Sequence, residues 1–134
     1  FTRFLKEAER LTMSIPGCVI VSGDTPKKER ERILEMFKVG EIPVVANVGV
    51  LTTGFDYPEL DTVVMARPTM SLAMYYQIVG RCIRPHKDKE AAWFVDLCGN
   101  INRFGEVSDL HLKDTGNGKW AVFSRGRQLT NVRF

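Results

Sequence analysis

Four short apolar runs constrain this chain more than anything else in it. They are Cys18-Val19-Ile20-Val21, Val44-Val45-Ala46, Thr62-Val63-Val64-Met65-Ala66 and Ala92-Trp93-Phe94-Val95. A run that is apolar at consecutive positions reads as a strand buried on both faces, the mark of a parallel sheet covered by helices. The segments around these runs supply the helices. Phe4, Ala8, Leu11 and Ile15 recur at helical spacing until Pro16-Gly17 ends the pattern. Thr25 is placed to cap a second helix with Pro26 at its first position; Ile33, Leu34 and Phe37 form its stripe and Gly40 stops it. Ser71 can cap a third, with Tyr75, Ile78, Val79 and Cys82 on one face and Pro85 at its end. The expected fold is α/β, a three-layer α/β/α domain with a mainly parallel sheet.

The tail breaks this pattern. Residues 107–113 and 119–123 flank Asp114-Thr115-Gly116-Asn117-Gly118, which signals a β-hairpin. Residues 1–105 therefore read as the domain and residues 106–134 as a small appendage outside the main sheet. Charge divides at nearly the same place. Residues 1–97 carry 13 basic and 13 acidic side chains, so the net charge of +3 arises beyond Cys98. There Arg103, Lys113, Lys119, Arg125, Arg127 and Arg133 face Glu106, Asp109 and Asp114. Phe104, Trp120, Phe123 and Phe134 are interleaved with those cations. Two readings fit: a packed hairpin with a solvated face, or an arm gripping nucleic acid through phosphate contacts and base stacking.

Three cysteines without a CxxC spacing read as reduced and structural, with no zinc site, the pattern of a cytoplasmic protein. No apolar run approaches the roughly 18–20 residues of a membrane span. Residue 1 is Phe rather than Met, so the chain reads as part of a longer protein.

Chemistry-bearing residues fall in three segments. In Gln77-Ile78-Val79-Gly80-Arg81-Cys82-Ile83-Arg84, the spacing i, i+4, i+7 puts Gln77, Arg81 and Arg84 on one face of the predicted helix, and Gly80 beside them permits close approach. Two guanidiniums on one edge repel each other, whereas a polyphosphate suits them; surface ion pairs are the plain alternative. Arg84 precedes a proline, so it lies at a frayed end. In the segment from Asn47 to Pro58, at the carboxyl edge of a strand, Gly49 and Gly54 free the backbone, Thr52 and Thr53 offer hydroxyls and amides, and Asp56 can accept from a ribose hydroxyl. The Ser22-Gly23-Asp24-Thr25 turn opens a helix, where exposed amides attract phosphate; an ordinary capped turn reads the same way.

Together these segments resemble the second, C-terminal RecA-like domain of superfamily 2 helicases. Gln77-xx-Gly80-Arg81-xx-Arg84 looks like motif VI, Thr53-Gly54-Phe55-Asp56-x-Pro58 like the end of motif V, and the Ser22-Gly23 turn like the one after that domain's second strand. Gly23-Asp24-Thr25-Pro26 and Asp96-Leu97-Cys98-Gly99-Asn100 are most similar to RadD-type DNA-repair helicases and their phage and restriction-enzyme relatives. The resemblance covers roughly residues 1–105. It implies a bacterial or phage protein that hydrolyses ATP between two RecA-like domains while tracking nucleic acid, DNA by this likeness. Arg84 and Arg81 would reach the phosphates, with Gln77 ordering the site. Gly54, Asp56 and Gly80 would shape the nucleotide's end. Ser22, Gly23, Asn47, Thr52 and Thr53 would hold the strand's backbone.

Three departures qualify that resemblance. The chain has no Gly-x-x-x-x-Gly-Lys-Ser/Thr loop and no DExH box, which the family carries on its N-terminal RecA-like domain together with the grip on Mg²⁺. The fragment alone is therefore expected to be inactive. The family's opening strand is at most begun at Phe1-Thr2, and the cysteine-rich zinc region of RadD-type proteins is absent. The competing class is a non-catalytic nucleic-acid- or protein-binding module on a RecA-like shell. A Rossmann-type enzyme is disfavoured because no Gly-x-Gly-x-x-Gly follows a strand.

Overall fold

The computed structural model describes residues 1–51 and 55–133, with side chains as far as residue 130 apart from that gap. The elements of the main domain are α1 (Leu5–Ser14), β1 (Cys18–Ser22), α2 (Lys27–Lys38), β2 (Val44–Val48), β3 (Thr62–Met65), α3 (Leu72–Val79), β4 (Trp93–Asp96) and α4 (Asn100–Phe104). None of the described helices is long and apolar enough to cross a membrane.

Strands β1 and β2 pair in parallel with Cys18 opposite Val44, and β3 pairs with β4 in parallel with Thr62 opposite Trp93. Phe1-Thr2 joins the two pairs. Thr2 bridges Val48 on one side and Ala66 on the other, both in parallel. Its N–H donates to the Asn47 carbonyl at 3.0 Å, and the Ala66 N–H donates to the Phe1 carbonyl at 2.9 Å. The order across the sheet is thus β1, β2, Thr2, β3, β4. Beyond that bridge the edges of β2 and β3 stand apart around an apolar cavity of about 250 Å³, lined by Val44, Ala46, Leu60 and Val63 among others. It lies within the sheet rather than among the charged loops.

Alternation along the strands explains the layers. Cys18, Ile20, Val44, Ala46 and Val48 point to one face and meet Ala8 and Leu11 of α1 and Ile15 just past its end. Val19, Val21 and Val45 point to the other and meet Ile33, Met36 and Phe37 of α2. Over β3 and β4, helices α3 and α4 bring Tyr75, Ile78, Val79 and Phe104 onto Val63, Met65 and Phe94. The opposite face of that half is bare: Val64, Trp93, Val95 and Leu97 are exposed, Trp93 at 66% and Leu97 at 65%. The expected three-layer sandwich is therefore complete around β1 and β2 and two-layered around β3 and β4 among the described residues.

Thr25 does not cap α2. Its hydroxyl accepts from the Ser22 N–H at 3.0 Å, closing the turn behind it, and Pro26 occupies the cap position without a side-chain bond. Ser71 caps α3 as expected, accepting from the Met74 N–H at 3.2 Å.

The appendage is a three-stranded antiparallel sheet rather than a hairpin: β5 (His111–Gly116), β6 (Lys119–Ser124) and β7 (Arg127–Arg133). Asn117-Gly118 makes its first turn with both residues at positive φ, as a type I′ hairpin requires. Arg125-Gly126 makes the second with φ of 49° and 76°. An arginine is an unusual first residue for such a turn, so β7 escaped the sequence pattern.

Its basic residues largely fasten it down. Arg125 pairs with Asp109 at 2.8 Å and with Glu106 at 3.7 Å, and Arg127 donates to the Arg103 carbonyl. The Lys113 ammonium sits over the Phe123 ring at 5.6 Å, and Trp120 stays 40% exposed. The junction is tight at Gly105, whose carbonyl accepts from the Tyr75 hydroxyl at 2.8 Å. Gly105 has φ of +85°, and a Cβ there would lie 2.0 Å from Ser124 Oγ. Gly105→Ala should cost about 1–3 kcal/mol through overpacking and strain. Urea unfolding checks this, and an unchanged midpoint would contradict the tight junction.

Candidate functional site

The five parallel segments share one direction, and the charged motifs divide between the two ends of the sheet. At the amino end, where α3 finishes and the chain enters β3 and β4, the segment after β2 and the segment after α3 are bound to each other. Arg81 Nη1 donates to the Phe55 carbonyl at 2.7 Å, and the Arg84 guanidinium pairs with the Asp56 carboxylate. Phe55 is buried, and Tyr57 packs edge-on against both Phe37 and Phe55 while its hydroxyl donates to the Lys38 carbonyl at 3.3 Å. The aromatic anchor fixes the backbone that Arg81 and Arg84 grip.

Arg81, Arg84 and Asp56 thus come together, but not as the helical spacing predicted. Helix α3 ends at Val79. The N–H groups of Arg81 and Cys82 reach back three residues, to Ile78 and Val79 at 3.1 Å each, so the chain tightens into a turn, and Pro85 forbids further helix. Gln77 stays on the helix, exposed, while both arginines lie past its end. Contacts to residues 55–56 gather them. Gly80 differs likewise: a Cβ there would meet the Tyr76 and Gln77 carbonyls at 3.1 and 3.4 Å, its own chain rather than an approaching element. Burial lowers the pKa of Arg81, the Arg84 cation lowers it further, and Asp56 opposes both. That end of the sheet therefore carries two neighbouring cations against one carboxylate.

Asn47 and the Ser22 turn lie at the opposite, carboxyl edge, where β2 and β1 end. Asn47 is buried, and its Oδ1 accepts from the N–H groups of Val50 and Leu51 at 3.1 and 3.0 Å, shaping the loop after β2. Gly49 takes φ of +74° in that loop. At the other turn the Ser22, Asp24 and Thr25 N–H groups are satisfied internally, by Thr25 Oγ1, Ser22 Oγ and the Ser22 carbonyl. Arg30 donates to the Ser22 and Thr25 carbonyls at 3.4 and 3.2 Å. An exposed row of amides is thus reduced there, and Gly23 and Asp24 are the exposed members of the turn. Thr52, Thr53 and Gly54 lie outside the described residues.

Two positioning groups had no sequence signal for the bonds they make. Lys89, inside the charged run His86-Lys87-Asp88-Lys89-Glu90, looks like a solvated lysine. Its Nζ instead donates to the carbonyls of Pro58, Leu60 and Cys82 at 2.8, 3.1 and 2.8 Å, clipping the segment after β2 to the end of the arginine turn. Asn100, fully buried, bonds to the loop after β3: its Oδ1 accepts from the Thr69 N–H at 3.0 Å and its Nδ2 donates to the Arg67 carbonyl at 3.0 Å. Asp96 holds Asn100 and also accepts from the Cys98 and Ile101 N–H groups. Burial works to raise the Asp96 pKa, and these hydrogen bonds outweigh it, so the carboxyl titrates below its ordinary value.

With this geometry in hand, the comparisons with known proteins converge. The helicase conserved C-terminal domain family matches residues 1–86. Putative ATP-dependent helicase IRC3 of Saccharomyces cerevisiae is 38% identical over 79 residues, covering 59% of this chain and 12% of that protein. The 51.5 kDa protein of a Lactococcus phage is 34% identical over 104 residues, covering 76% of this chain and 23% of its own. The chain thus spans less than a quarter of either relative's length. The solved C-terminal domain of the DEAD-box protein Dbp5 superposes with a TM-score of 0.59 at 23% identity, over 73% of this chain and 59% of that one. The fold is accordingly RecA-like α/β.

The clip at Lys89 carries a prediction. Lys89→Met keeps the stem and removes the charge-assisted bonds, each worth about 1.5–3 kcal/mol, so stability should fall on the order of 2–3 kcal/mol. Protection of the backbone amides around residues 81–83 from hydrogen exchange should fall with it. Protection and stability equal to the parent's would show that the two segments hold together without the clip.

Proposed function

The chain belongs to the helicase conserved C-terminal domain family, and on that premise we propose that it is the second RecA-like half of an ATP-dependent superfamily 2 helicase or translocase. One observation carries the reading: Arg81 and Arg84, past the end of α3, are held against residues 55–56 at the amino end of the sheet. An ATP site between two domains needs cations offered from this side. The residues present fit one wall of such a site, two guanidiniums beside a carboxylate. By the family resemblance, Mg²⁺ is assigned to an N-terminal RecA-like domain of the same protein, together with the phosphate loop.

In the proposed mechanism ATP supplies the phosphoryl group that water accepts. Arg84 leaves Asp56 for the terminal phosphate oxygens and stabilises the charge they gather in the transition state. Arg81, bound to the Phe55 carbonyl, keeps the turn in place and adds its own charge. Gln77 orders the approach from the helix end, and Asp56, released by Arg84, is available to a ribose hydroxyl. Gly54 and Gly80 line the nucleotide's end. Ser22, Gly23, Asn47, Thr52 and Thr53 are the proposed contacts to the tracked strand.

DNA is the proposed substrate, in repair or phage replication. Among the relatives, one carries the name DNA 3'-5' translocase XPB2, from Sulfurisphaera tokodaii, at 36% identity over 93 residues. Others are named RNA helicases, so competition between labelled DNA and RNA strands is the deciding measurement. The three unpaired cysteines suit a reducing, cytoplasmic setting.

In a protein carrying both RecA-like domains, Arg84→Ala should lower kcat by about 10³-fold, the low end for an arginine finger, with a much smaller change in KM. Arg81→Ala should share the defect. Normal turnover in both variants would remove the arginines from catalysis and favour a non-catalytic binding module. The 134-residue chain alone, without a Gly-x-x-x-x-Gly-Lys-Ser/Thr loop, should show no ATP turnover above a buffer blank.

A further inference from the structure

We propose that the cleft between Arg3, the Arg67–Thr69 loop and Arg103 is a phosphate-group binding site, separate from the Arg81–Arg84 turn. The cleft is about 260 Å³ and is lined by Arg3, Arg67, Pro68, Thr69, Met70 and Arg103. Three of its six lining residues are guanidinium-bearing and none is acidic. None of these arginines enters an ion pair among the described residues. The nearest candidate counter-charge, Glu7, gives its carboxylate to the Arg3 and Phe4 N–H groups at the start of α1. Arg67 Nε is buried and meets no acceptor. Like charges converging in a partly buried cleft are costly unless an anion joins them, and planar donor forks match the oxygens of a phosphate.

The cleft is also built rather than incidental. Arg67 and Thr69 follow β3, and their backbone is fixed from below by the fully buried Asn100, which takes one bond from Thr69 and gives one to Arg67. Arg103 Nη1 donates to the Thr69 carbonyl at 3.0 Å, which ties the third cation to the same loop. Asp96 braces Asn100 from behind while its charge is absorbed by N–H donors. Loop and cations are therefore preorganised, so an arriving anion would have little to reorder. Arg3 follows Thr2 in the sheet and Arg67 follows β3, so the cleft opens on the carboxyl edge, across the sheet from the Arg81–Arg84 turn. A phosphodiester of a nucleic-acid backbone and a free phosphate compound share the required chemistry. Only the first source rests on the proposed helicase function.

The test uses the intact 134-residue chain, labelled with ¹⁵N and titrated with inorganic phosphate against chloride at constant ionic strength. The Arg67 and Arg103 Nε–Hε resonances should move along a saturable curve. Arg67→Gln should weaken that binding at least tenfold, and Arg3→Gln, at an exposed position that cannot upset the core, should weaken it measurably. A response that does not saturate, or one unchanged in both variants, overturns the site. A second arm measures binding of a fluorescent single-stranded oligonucleotide across a salt series. If the backbone is the source, each arginine removed should lower the slope of log K against log salt by about 0.7. Saturable phosphate binding with oligonucleotide affinity and slope untouched by both substitutions assigns the site to a free phosphate compound and leaves the proposed helicase function standing. Phosphate binding by a chain that binds no oligonucleotide keeps the site and removes the nucleic-acid contact from that function.

Discussion

Every strand of the main sheet runs the same way, and this single constraint decides where the chemistry of the chain can be. Parallel pairing across β1, β2, Thr2, β3 and β4 sends each carboxyl end to one edge. Asn47, Arg3 and Arg67 are brought to that edge, whereas Asp56 and the arginine turn, at the far end of a helix that runs back along the sheet, gather at the opposite end. The join is slender. Thr2 and Phe1 hold the two strand pairs together through bonds to Asn47, Ala66 and Val64. Helices α1 and α2 sandwich one pair and α3 and α4 back the other, so each half has its own core and the two ends of the sheet are the shared features.

The cations at the two ends of the sheet must be held in shape without being neutralised. Carboxylates would neutralise them, and few are used: Asp56 for Arg84, and Glu7 turned toward backbone N–H groups beside Arg3. Carbonyl groups do most of the holding. Arg81 takes the Phe55 carbonyl, Arg103 that of Thr69, and Lys89 three carbonyls at once. A carbonyl accepts a hydrogen bond from a cation and leaves its net charge in place, so the potential at each end survives the anchoring.

The strands, the faces of α1 to α3 and the buried set of Tyr75, Ile78, Val79 and Cys82 were readable because burial leaves a periodic trace in composition. The pairing of the two arginines with residues 55–56 was partly readable, as two segments expected to serve one site. Its geometry was not, because the end of α3 depends on a tight turn ahead of Pro85 rather than on helical period. The cap of α2 was misassigned for a related reason: a threonine hydroxyl can close the turn behind it as well as cap the helix ahead. Lys89 left no trace at all, and Asn100 showed only as the last residue of the Asp96–Asn100 segment, with nothing to mark the bonds it makes. Their partners are backbone carbonyls and amides 7 to 33 residues away in sequence, and backbone groups look alike at every position. Strand β7 was lost because its turn uses Arg125 where asparagine or aspartate would have announced a hairpin.

The bonds at the amino end also differ in how readily they can be exchanged. The Arg84–Asp56 pair is exposed, with the carboxylate 77% accessible, and an exposed pair is worth about 0–1 kcal/mol. An incoming phosphate therefore displaces little when it draws Arg84 away. Lys89 is part-buried and bonded to three carbonyls, and removing it would leave those acceptors without a partner. Arg81 lies between these cases, burdened by burial and by its neighbouring cation yet bonded to a buried aromatic residue's carbonyl. The turn after α3 thus has a fixed root at Lys89 and Arg81 and a movable tip at Arg84. A group that must meet phosphate in one state of a motor and release it in the next needs that combination: a position set by the backbone, and a resting partner weak enough to give up.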